Sequence, residues 1–390
     1  MATPHKTVIS FPHMGNYSAV FEQMFGRLFE DAIVRPAPPI TRKTVELGER
    51  YSPDFVCSPF KYNLGNYIEA LDAGANLLFQ TGMGCRYGYY GELQEQILRD
   101  MGYKFRFACL SREQARPLEV YRTLRELGCN LPAHKIARAI HLAVTSIRAM
   151  DRIEYWMREN IGFESVPGGC EAAHQDFLSK IKHIESITQL REAAAHCQKD
   201  MRSLKLEVPP RPLRVGMVGD LYTLMEPSGN FHLEKRLASE GVSVSRAMGV
   251  WFLLFGRSDT RSLRQSGGYL RYTVGANGVD SVSQSLAYAR DGYDGILHIK
   301  SFGCIPELNA GPALTELSRR EKIPILSLSF DTHTGEIGVQ TRLEAFTDML
   351  KMRRRAADVN TRASYVADNY SVAPASGAAA AEQHQKKEQA

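Results

Sequence analysis

Three of the seven cysteines lie where their thiols could share one binding site. Cys57 precedes a Ser-Pro pair, Cys85 lies in a glycine-rich stretch, and Cys304 follows a glycine. Each is expected in a loop that leaves the carboxyl end of a strand, which is where open α/β sheets bind ligands. The helix that follows such a loop offers amide groups that favour anions such as thiolates. Three thiolates could hold an iron–sulfur cluster, and buried or merely reactive cysteines are the alternative.

The spacing of the cysteines excludes local metal motifs. No Cys-x-x-Cys occurs, which excludes zinc ribbons, thioredoxin-like pairs and ferredoxin-type cluster runs. An odd count of seven argues against a disulfide framework. Cys109 also ends an apolar run and is the strongest candidate for a fourth ligand, whereas Cys170 is undecided. Cys129 and Cys197 are expected to pack within helices.

A second polar motif follows a later apolar run. The sequence Asp-Thr-His-Thr-Gly-Glu at 331–336 comes directly after the strand expected at Pro324–Ser329. Because this motif would share a sheet edge with Cys304, we predict that His333 and Glu336 line a substrate or act as catalytic acid and base. A capping and turn role for these residues is the alternative.

The order of apolar patterns predicts the fold that positions these residues. Residues 1–111 and 207–355 alternate short strand-like and helix-like runs, which favours parallel sheets covered on both faces. From 112 to 206 the apolar residues recur at helical spacing instead. We therefore predict an α/β protein with two doubly wound, Rossmann-like domains and a helical segment between them. Residues 356–390 form a C-terminal segment, which is expected to be disordered from about 374.

Each of the three cysteines is assigned to one expected strand. Cys57 is placed after a strand at Asp54–Val56, and Cys85 after a strand that begins at Asn76. Cys304 is placed after a strand at Ile296–Ile299. These assignments predict that all three thiols lie at carboxyl edges of sheets.

Composition, charge and missing motifs argue against several classes of function. The 48 Lys and Arg against 43 Asp and Glu leave a net charge of +5, too small to predict nucleic-acid binding. The apolar runs are far shorter than the ~20 residues of a membrane span, and the N-terminus has no apolar signal-peptide core. We expect a soluble cytoplasmic protein. No Walker-type loop and no complete dinucleotide fingerprint occur, so no nucleotide is expected on this chain.

At these cysteines and the polar motif, the sequence resembles the 2-hydroxyacyl-CoA dehydratase superfamily, which includes benzoyl-CoA reductase. The similarity is greatest to the branch associated with acyl-CoA dehydratase activases, and it spans about residues 7 to 350. The motifs that carry it are Asp54–Phe60, Gly65–Leu71, Gly84–Tyr90, His298–Glu307 and Ser327–Glu336.

The resemblance implies a cofactor and a partner. Subunits of this superfamily hold an oxygen-sensitive iron–sulfur cluster through three cysteines from separate loops. By position, Cys57, Cys85 and Cys304 would be those ligands, for a cluster of the [4Fe-4S] type. An ATP-hydrolysing activase, itself an iron–sulfur protein of the actin and Hsp70 type, would supply low-potential electrons, so that ATP belongs to the partner. We also expect a homo- or heterodimer.

Three hypotheses of function follow. In the first, the chain is an iron–sulfur enzyme that uses these electrons for reductive chemistry on a substrate such as an acyl-CoA. In the second, it is a non-catalytic partner of the activase, either an electron carrier or a cluster scaffold. In the third, it is a cluster-free α/β binder of small molecules. Catalytic turnover of thioesters would distinguish the enzyme from the non-catalytic partner. The iron content of the purified protein would distinguish both of these from the cluster-free binder.

Overall fold

Two parallel sheets organise the chain. The computed structural model describes residues 6–82, 85–111, 116–256 and 258–370, with the backbone alone at 110–111 and 358–370. Within these ranges, eight strands form two four-stranded sheets in which every pairing is parallel. The predicted α/β class is confirmed.

The first sheet has the strand order β2-β1-β3-β4. Its strands are β1 (Val8–Ser10), β2 (Ile33–Val34), β3 (Leu77–Gly82) and β4 (Arg106–Ser111). The helices between them are α1 (Ser18–Leu28), α2 (Arg42–Tyr51), α3 (Ser58–Asp72) and α4 (Tyr90–Asp100). The apolar run of β3 is buried because helices cover both faces of the strand.

In the described residues 116–206, the middle of the chain consists of four α-helices. They are α5 (Pro117–Glu126), α6 (Ala133–Asn160), α7 (Gly169–Ile181) and α8 (Ile187–Ser203). The long helix α6 packs against α1 of the first part and also contacts a strand of the second sheet, Val242–Ser245. The apolar side chains of α6 that recur at helical spacing are buried in this core, for example Ile147 and Met150.

The second sheet has the strand order β6-β5-β7-β8. Its strands are β5 (Leu213–Gly219), β6 (Val242–Ser245), β7 (Gly295–Ser301) and β8 (Ile325–Phe330). Its helices are α9 (Leu221–Met225), α10 (Leu233–Ser239), α11 (Asp259–Gln265), α12 (Gly278–Arg290), α13 (Ile305–Arg320) and α14 (Glu336–Tyr370). None of the helices in the described ranges has both the length and the apolar character needed to cross a membrane.

The two sheets share one connectivity. In each, the first strand lies between the second and the third, so the order of strands reverses between β1 and β3 and between β5 and β7. Ligands of open parallel sheets bind outside the carboxyl ends of the strands at this reversal. β3 ends three residues before Cys85, and β7 ends three residues before Cys304. These two cysteines therefore occupy equivalent positions in the two sheets.

The prediction of a strand before Cys57 is wrong. Asp54 and Phe55 form a turn between α2 and α3, and α3 begins at Ser58, directly after Cys57. The reason is the close packing of the two helices. A Cβ added to Gly48 of α2 would lie 1.9 Å from a backbone oxygen of α3, and one added to Gly65 would lie 2.0 Å from a backbone oxygen of α2. Helices in such contact are joined by a short turn, which leaves no room for a strand.

The C-terminal helix is also longer than predicted. The sequence pattern predicts a last helix at Thr341–Arg354, whereas α14 runs from Glu336 to Tyr370 and so includes the beginning of the predicted C-terminal segment. The tail expected to be disordered, Pro374–Ala390, lies outside the described residues.

Candidate functional site

The three cysteines singled out from the sequence each immediately precede a helix. Cys57 is the N-cap of α3, and Cys304 is the N-cap of α13. Cys85 caps the short 3-10 turn Arg86–Tyr89, which leads into α4. Both α3 and α13 carry proline in their first turn, where the fixed φ of proline favours helix initiation. Three helix N-termini therefore carry thiols, one in the second part of the chain and two in the first.

The three cysteine loops meet around Gly303. A Cβ added to Gly303 would lie 3.8 Å from the Cα of Cys57 and 3.7 Å from the carbonyl oxygen of Phe55. Its φ of +79° is readily adopted only by glycine. Arg86, the neighbour of Cys85, donates a hydrogen bond to the carbonyl oxygen of Gly303 at 2.9 Å. We call Cys57, Cys85 and Cys304 with these loops the three-cysteine site.

Burial makes two of the thiols weak acids. It raises the pKa of Cys57 to about 11, and the hydroxyl of Tyr90, 3.1 Å from the sulfur, opposes this only in part. Burial also raises the pKa of Cys304 strongly, and the carboxylates of Asp220 and Glu307 add to the effect. Burial therefore outweighs the helix amides, which we expected to favour thiolates. Neutral, buried thiols are poor nucleophiles, but a bound metal would supply the positive charge that deprotonates them.

The thiols lie within electrostatic reach of one another. A charge on Cys85 raises the pKa of Cys57, and a charge on Cys57 raises that of Cys304. Tyr87 is half-buried, and charges on Cys57 and Cys85 both raise its pKa. Thiolates are the ligands of zinc, copper(I) and iron–sulfur clusters, so the chemistry of this donor set suits a soft metal centre.

The described residues contain no site for a single metal ion. In that part of the chain, no three Cys, His, Asp or Glu side chains are grouped closely enough to hold one ion. A cluster places its thiolates on different irons, so this finding concerns single-ion sites alone.

Asp220 is a site residue that the sequence analysis missed. It caps α9 through a hydrogen bond from the amide of Thr223 at 3.0 Å, and its other oxygen accepts from the amide of Ser301 at 2.5 Å. Its charge raises the pKa of both Cys57 and Cys304, so its carboxylate faces both thiols. An aspartate directly after a buried strand and three residues before a threonine is the local signal that could have revealed it.

A buried hydrogen-bond network fixes the start of α13. His298 of β7 and Glu307 of α13 approach to 2.9 Å, and their side chains are 1% and 0% exposed. Ser281 donates to the other carboxylate oxygen of Glu307 at 3.1 Å, and Ser327 contacts the second ring nitrogen of His298 at 3.0 Å. Because Glu307 lies three residues after Cys304, this network positions the turn that carries the thiol.

Exposed apolar side chains surround the three cysteines. Phe55, Tyr89, Phe302 and Ile305, which we call the apolar rim, are 85%, 70%, 59% and 47% exposed. All four lie within four residues of a ligand candidate. Phe55 also has a φ of +61°, a conformation that is strained for a bulky side chain. Clustered exposed apolar groups indicate an interaction surface.

His333 and Glu336 lie after β8, at the predicted sheet edge. The amide of His333 and the hydroxyl of Thr334 both donate to a side-chain oxygen of Asp331, at 2.9 and 2.7 Å. Glu336 is the first residue of α14 and forms an exposed ion pair with Arg236. These contacts suit the turn and capping alternative, and the catalytic roles of the two residues stay predictions.

The other four cysteines fall into two groups, three in the apolar interior and Cys109 on β4. Cys129, Cys170 and Cys197 are between 0% and 2% exposed and belong to the apolar interior, as expected for Cys129 and Cys197. Cys109 of β4 packs against α4, since a Cβ added to Gly91 would lie 2.6 Å from its sulfur. Tyr87 faces Cys109 as well as Cys57 and Cys85, so Cys109 is still a candidate fourth ligand.

Comparison with known proteins adds no family to this picture. No family model matches the chain, and no curated protein matches it. The superfamily resemblance therefore depends on the motifs alone, and function has to be argued from the geometry of the site.

In the metal-free protein, Cys57 is expected to react with iodoacetamide at least about tenfold more slowly at pH 7 than a free thiol does. Its pKa of about 11 leaves little thiolate at that pH, and the rate should rise with pH until about 11. Mass spectrometry of labelled peptides at several pH values measures this. A rate at pH 7 equal to that of glutathione would contradict the predicted burial of the thiol.

Proposed function

We propose that this chain is an iron–sulfur redox protein in which Cys57, Cys85 and Cys304 hold one cluster of the [4Fe-4S] type. The observation that carries the proposal is that the loops of Cys57, Cys85 and Cys304, each at the N-terminus of a helix, meet around Gly303. Interpreted as two doubly wound, Rossmann-like halves, the sheets provide a cleft at their carboxyl edges for this group. When bound, the cluster would supply one-electron chemistry.

The surrounding residues suit this role. Three protein thiolates leave one iron of a four-iron cluster without a cysteine ligand, which leaves a position for a substrate. The hydroxyl of Tyr90 lies 3.1 Å from the sulfur of Cys57 and would donate a hydrogen bond to the thiolate. Such hydrogen bonds orient ligands and tune the reduction potential. The half-buried carboxylate of Asp220 would disfavour additional negative charge, and so lower the potential.

We further propose that an ATP-dependent activase, an iron–sulfur protein of the actin and Hsp70 type, supplies the electrons. The superfamily motifs support this partner, and the apolar rim offers an exposed surface next to the thiols on which a protein could dock. The electrons would pass to a substrate such as an acyl-CoA. A cytoplasmic location and a homo- or heterodimer belong to the same proposal.

Replacing Phe55 by glycine tests the docking of the activase. We expect Phe55→Gly to slow reduction by the activase with MgATP several-fold, because it removes the most exposed side chain of the apolar rim. Folding should not suffer, since glycine adopts a φ of +61° without strain. Anaerobic stopped-flow absorbance follows the reduction, and dithionite serves as the small reductant whose rate should not change.

Val166→Gly is the matched control. Val166 is 79% exposed but lies in the helical part of the chain, so its loss should change neither rate. Equal rates for wild type and Phe55→Gly would exclude docking on the apolar rim. If MgATP and activase fail to reduce iron-loaded wild-type protein at all, the proposed partner is wrong.

A further inference from the structure

A histidine and a glutamate pair between the two halves of the chain, near the carboxyl ends of β1 and β5. His13 follows β1 by three residues, and Glu226 directly follows α9, the short helix after β5. Nδ1 of His13 and Oε2 of Glu226 are 2.6 Å apart. The Glu226 side chain is 1% exposed, whereas that of His13 is 15% exposed and is reached by water. The pair therefore joins a buried carboxylate to an accessible imidazole.

The contacts of Glu226 fix the tautomer of His13. The amide of Gly15 is shared between Oε2 of Glu226 at 2.9 Å and Nδ1 of His13 at 3.3 Å, and the amide of Ser228 donates to Oε1 of Glu226 at 3.2 Å. The carboxylate is the nearer acceptor of the Gly15 amide, and Nδ1 lies only 2.6 Å from Oε2, a separation that requires a hydrogen between the two atoms. We therefore assign that hydrogen to Nδ1 of His13. Nε2 is then the nitrogen that can take up a proton. Acid–base histidines in enzymes are oriented by a carboxylate in the same way.

The backbone of His13 is also held from both halves. Its amide donates to the side-chain oxygen of Asn66 in α3 at 3.0 Å, and the hydroxyl of Tyr222 in α9 donates to its carbonyl oxygen at 3.2 Å. A Cβ added to Gly15 would lie 2.5 Å from the carbonyl oxygen of Met225, so this loop is packed tightly onto the second half. The imidazole is thus held in one position before any ligand binds.

Buried hydroxyl groups connect this pair with the three-cysteine site. The rings of Tyr222 and Tyr62 lie 6.5 Å apart, and Glu226 faces both hydroxyls. Tyr62 in turn lies next to Ser58, the neighbour of Cys57. The hydroxyl of Ser58 donates to the carbonyl oxygen of Phe330 at 2.7 Å. Burial raises the pKa of Tyr62 to about 12, so its hydroxyl stays protonated at neutral pH. A row of polar groups therefore extends from Glu226 to the loop of Cys57.

We propose that His13, positioned by Glu226, takes up the proton that balances each electron accepted at the three-cysteine site. This inference rests on the proposed redox function. In the step, a one-electron reductant gives one electron to the site, and Nε2 of His13 binds one proton from water. One N–H bond forms, and the new negative charge is matched by one positive charge. Adding an unbalanced charge to a buried region is costly, which favours uptake of the proton.

The charged and titratable groups along this row include one imidazole and three carboxylates. Glu226 faces His13 across the hydrogen bond, and Tyr222 contacts its backbone. Tyr62 faces Asp220, Asp331 and Glu226, all three of which are carboxylates. The imidazole of His13 is thus the base in this row that becomes a cation when it binds a proton, and it is also accessible to water.

Two variants distinguish proton uptake by His13 from a purely structural contact between the two halves of the chain. His13→Asn keeps an N–H donor near the position of Nδ1 but cannot take up a proton. Glu226→Gln keeps the volume and an acceptor oxygen but removes the charge that stabilises an imidazolium. His196→Asn is the matched control, because His196 forms an exposed pair with Asp200 at 3.0 Å in α8. If one of these two variants fails to fold, the other still tests proton uptake by His13.

The experiment is an anaerobic redox titration of the iron-loaded full chain at about pH 6, 7 and 8, after iron analysis of each protein. We expect the midpoint potential of wild type and His196→Asn to fall as the pH rises, because reduction takes up a proton. His13→Asn and Glu226→Gln should lose most of this dependence at unchanged iron content. A pH-independent wild type, or variants that keep the wild-type dependence, would overturn the role of His13 and leave the cluster intact. Wild-type protein that binds no iron would instead refute the proposed function, and this inference with it.

Discussion

Serine at Cys57, Cys85 or Cys304 is expected to remove most of the iron from anaerobically prepared protein. A cluster held by three protein thiolates has no spare ligand, so the loss of any one makes it labile. The three positions are expected to behave alike even though they come from different parts of the chain, because their loops meet around Gly303. Iron and acid-labile sulfide per chain, with the sulfur-to-iron absorption, measure the effect.

The remaining cysteines provide matched controls. Serine at Cys129 or Cys197 replaces an equally small thiol in the apolar interior, and it should leave the iron content unchanged. The Cys109→Ser variant tests whether there is a fourth ligand. Loss of iron from this variant would show that the thiolate of Cys109 also binds the cluster. If serine at Cys85 and at Cys304 both leave the iron content intact, the cluster assignment is wrong and the redox function is wrong with it.

Glu307→Ala is expected to destabilise the metal-free protein by about 3–5 kcal/mol, the usual cost of removing one partner of a buried pair. The substitution leaves His298 and Ser281 without the carboxylate that they contact, and all three side chains are at most 1% exposed. Because Glu307 lies in the first turn of α13, we also expect weaker iron retention through Cys304. Urea unfolding of the metal-free protein and iron analysis of the loaded protein measure the two effects.

Glu316→Ala is the control on the same helix. Glu316 forms surface ion pairs with Arg319 and Arg320, and surface pairs contribute little to stability. If Glu307→Ala unfolds at the same urea concentration as Glu316→Ala, the buried network does not position α13 and its proposed role is incorrect.

The parts of the site that could be predicted from the sequence are those marked by a pattern in the neighbouring residues. Cys85 and Cys304 follow β3 and β7, whose short apolar stretches Leu77–Phe79 and Ile296–Ile299 (interrupted only by His298) predict buried strands. Cys57 was singled out for a wrong structural reason, because the run Asp54–Val56 contains only two apolar residues and is a turn. Its Ser-Pro neighbours are a helix-start signal, and this local chemistry is the correct reason for its position.

The unpredicted parts depend on contacts between residues far apart in the chain. His13 and Glu226 are separated by 213 residues, and no pattern around either one indicates the other. Asp220 faces thiols that come from both halves, so its role appears only once the two sheets are assembled. His333 and Glu336 show the opposite case, in which a local polar motif is explained by its own turn and by the start of α14.

The measurement that tests the central claim most directly is the iron and acid-labile sulfide content of wild-type protein purified without oxygen. We predict about four irons and four sulfides per chain, the content of one [4Fe-4S] cluster, with a brown colour that bleaches on reduction. The same preparation of the Cys85→Ser protein should be nearly colourless. Colourless wild-type protein that contains no iron, even after reconstitution with iron and sulfide, would contradict the assignment of Cys57, Cys85 and Cys304.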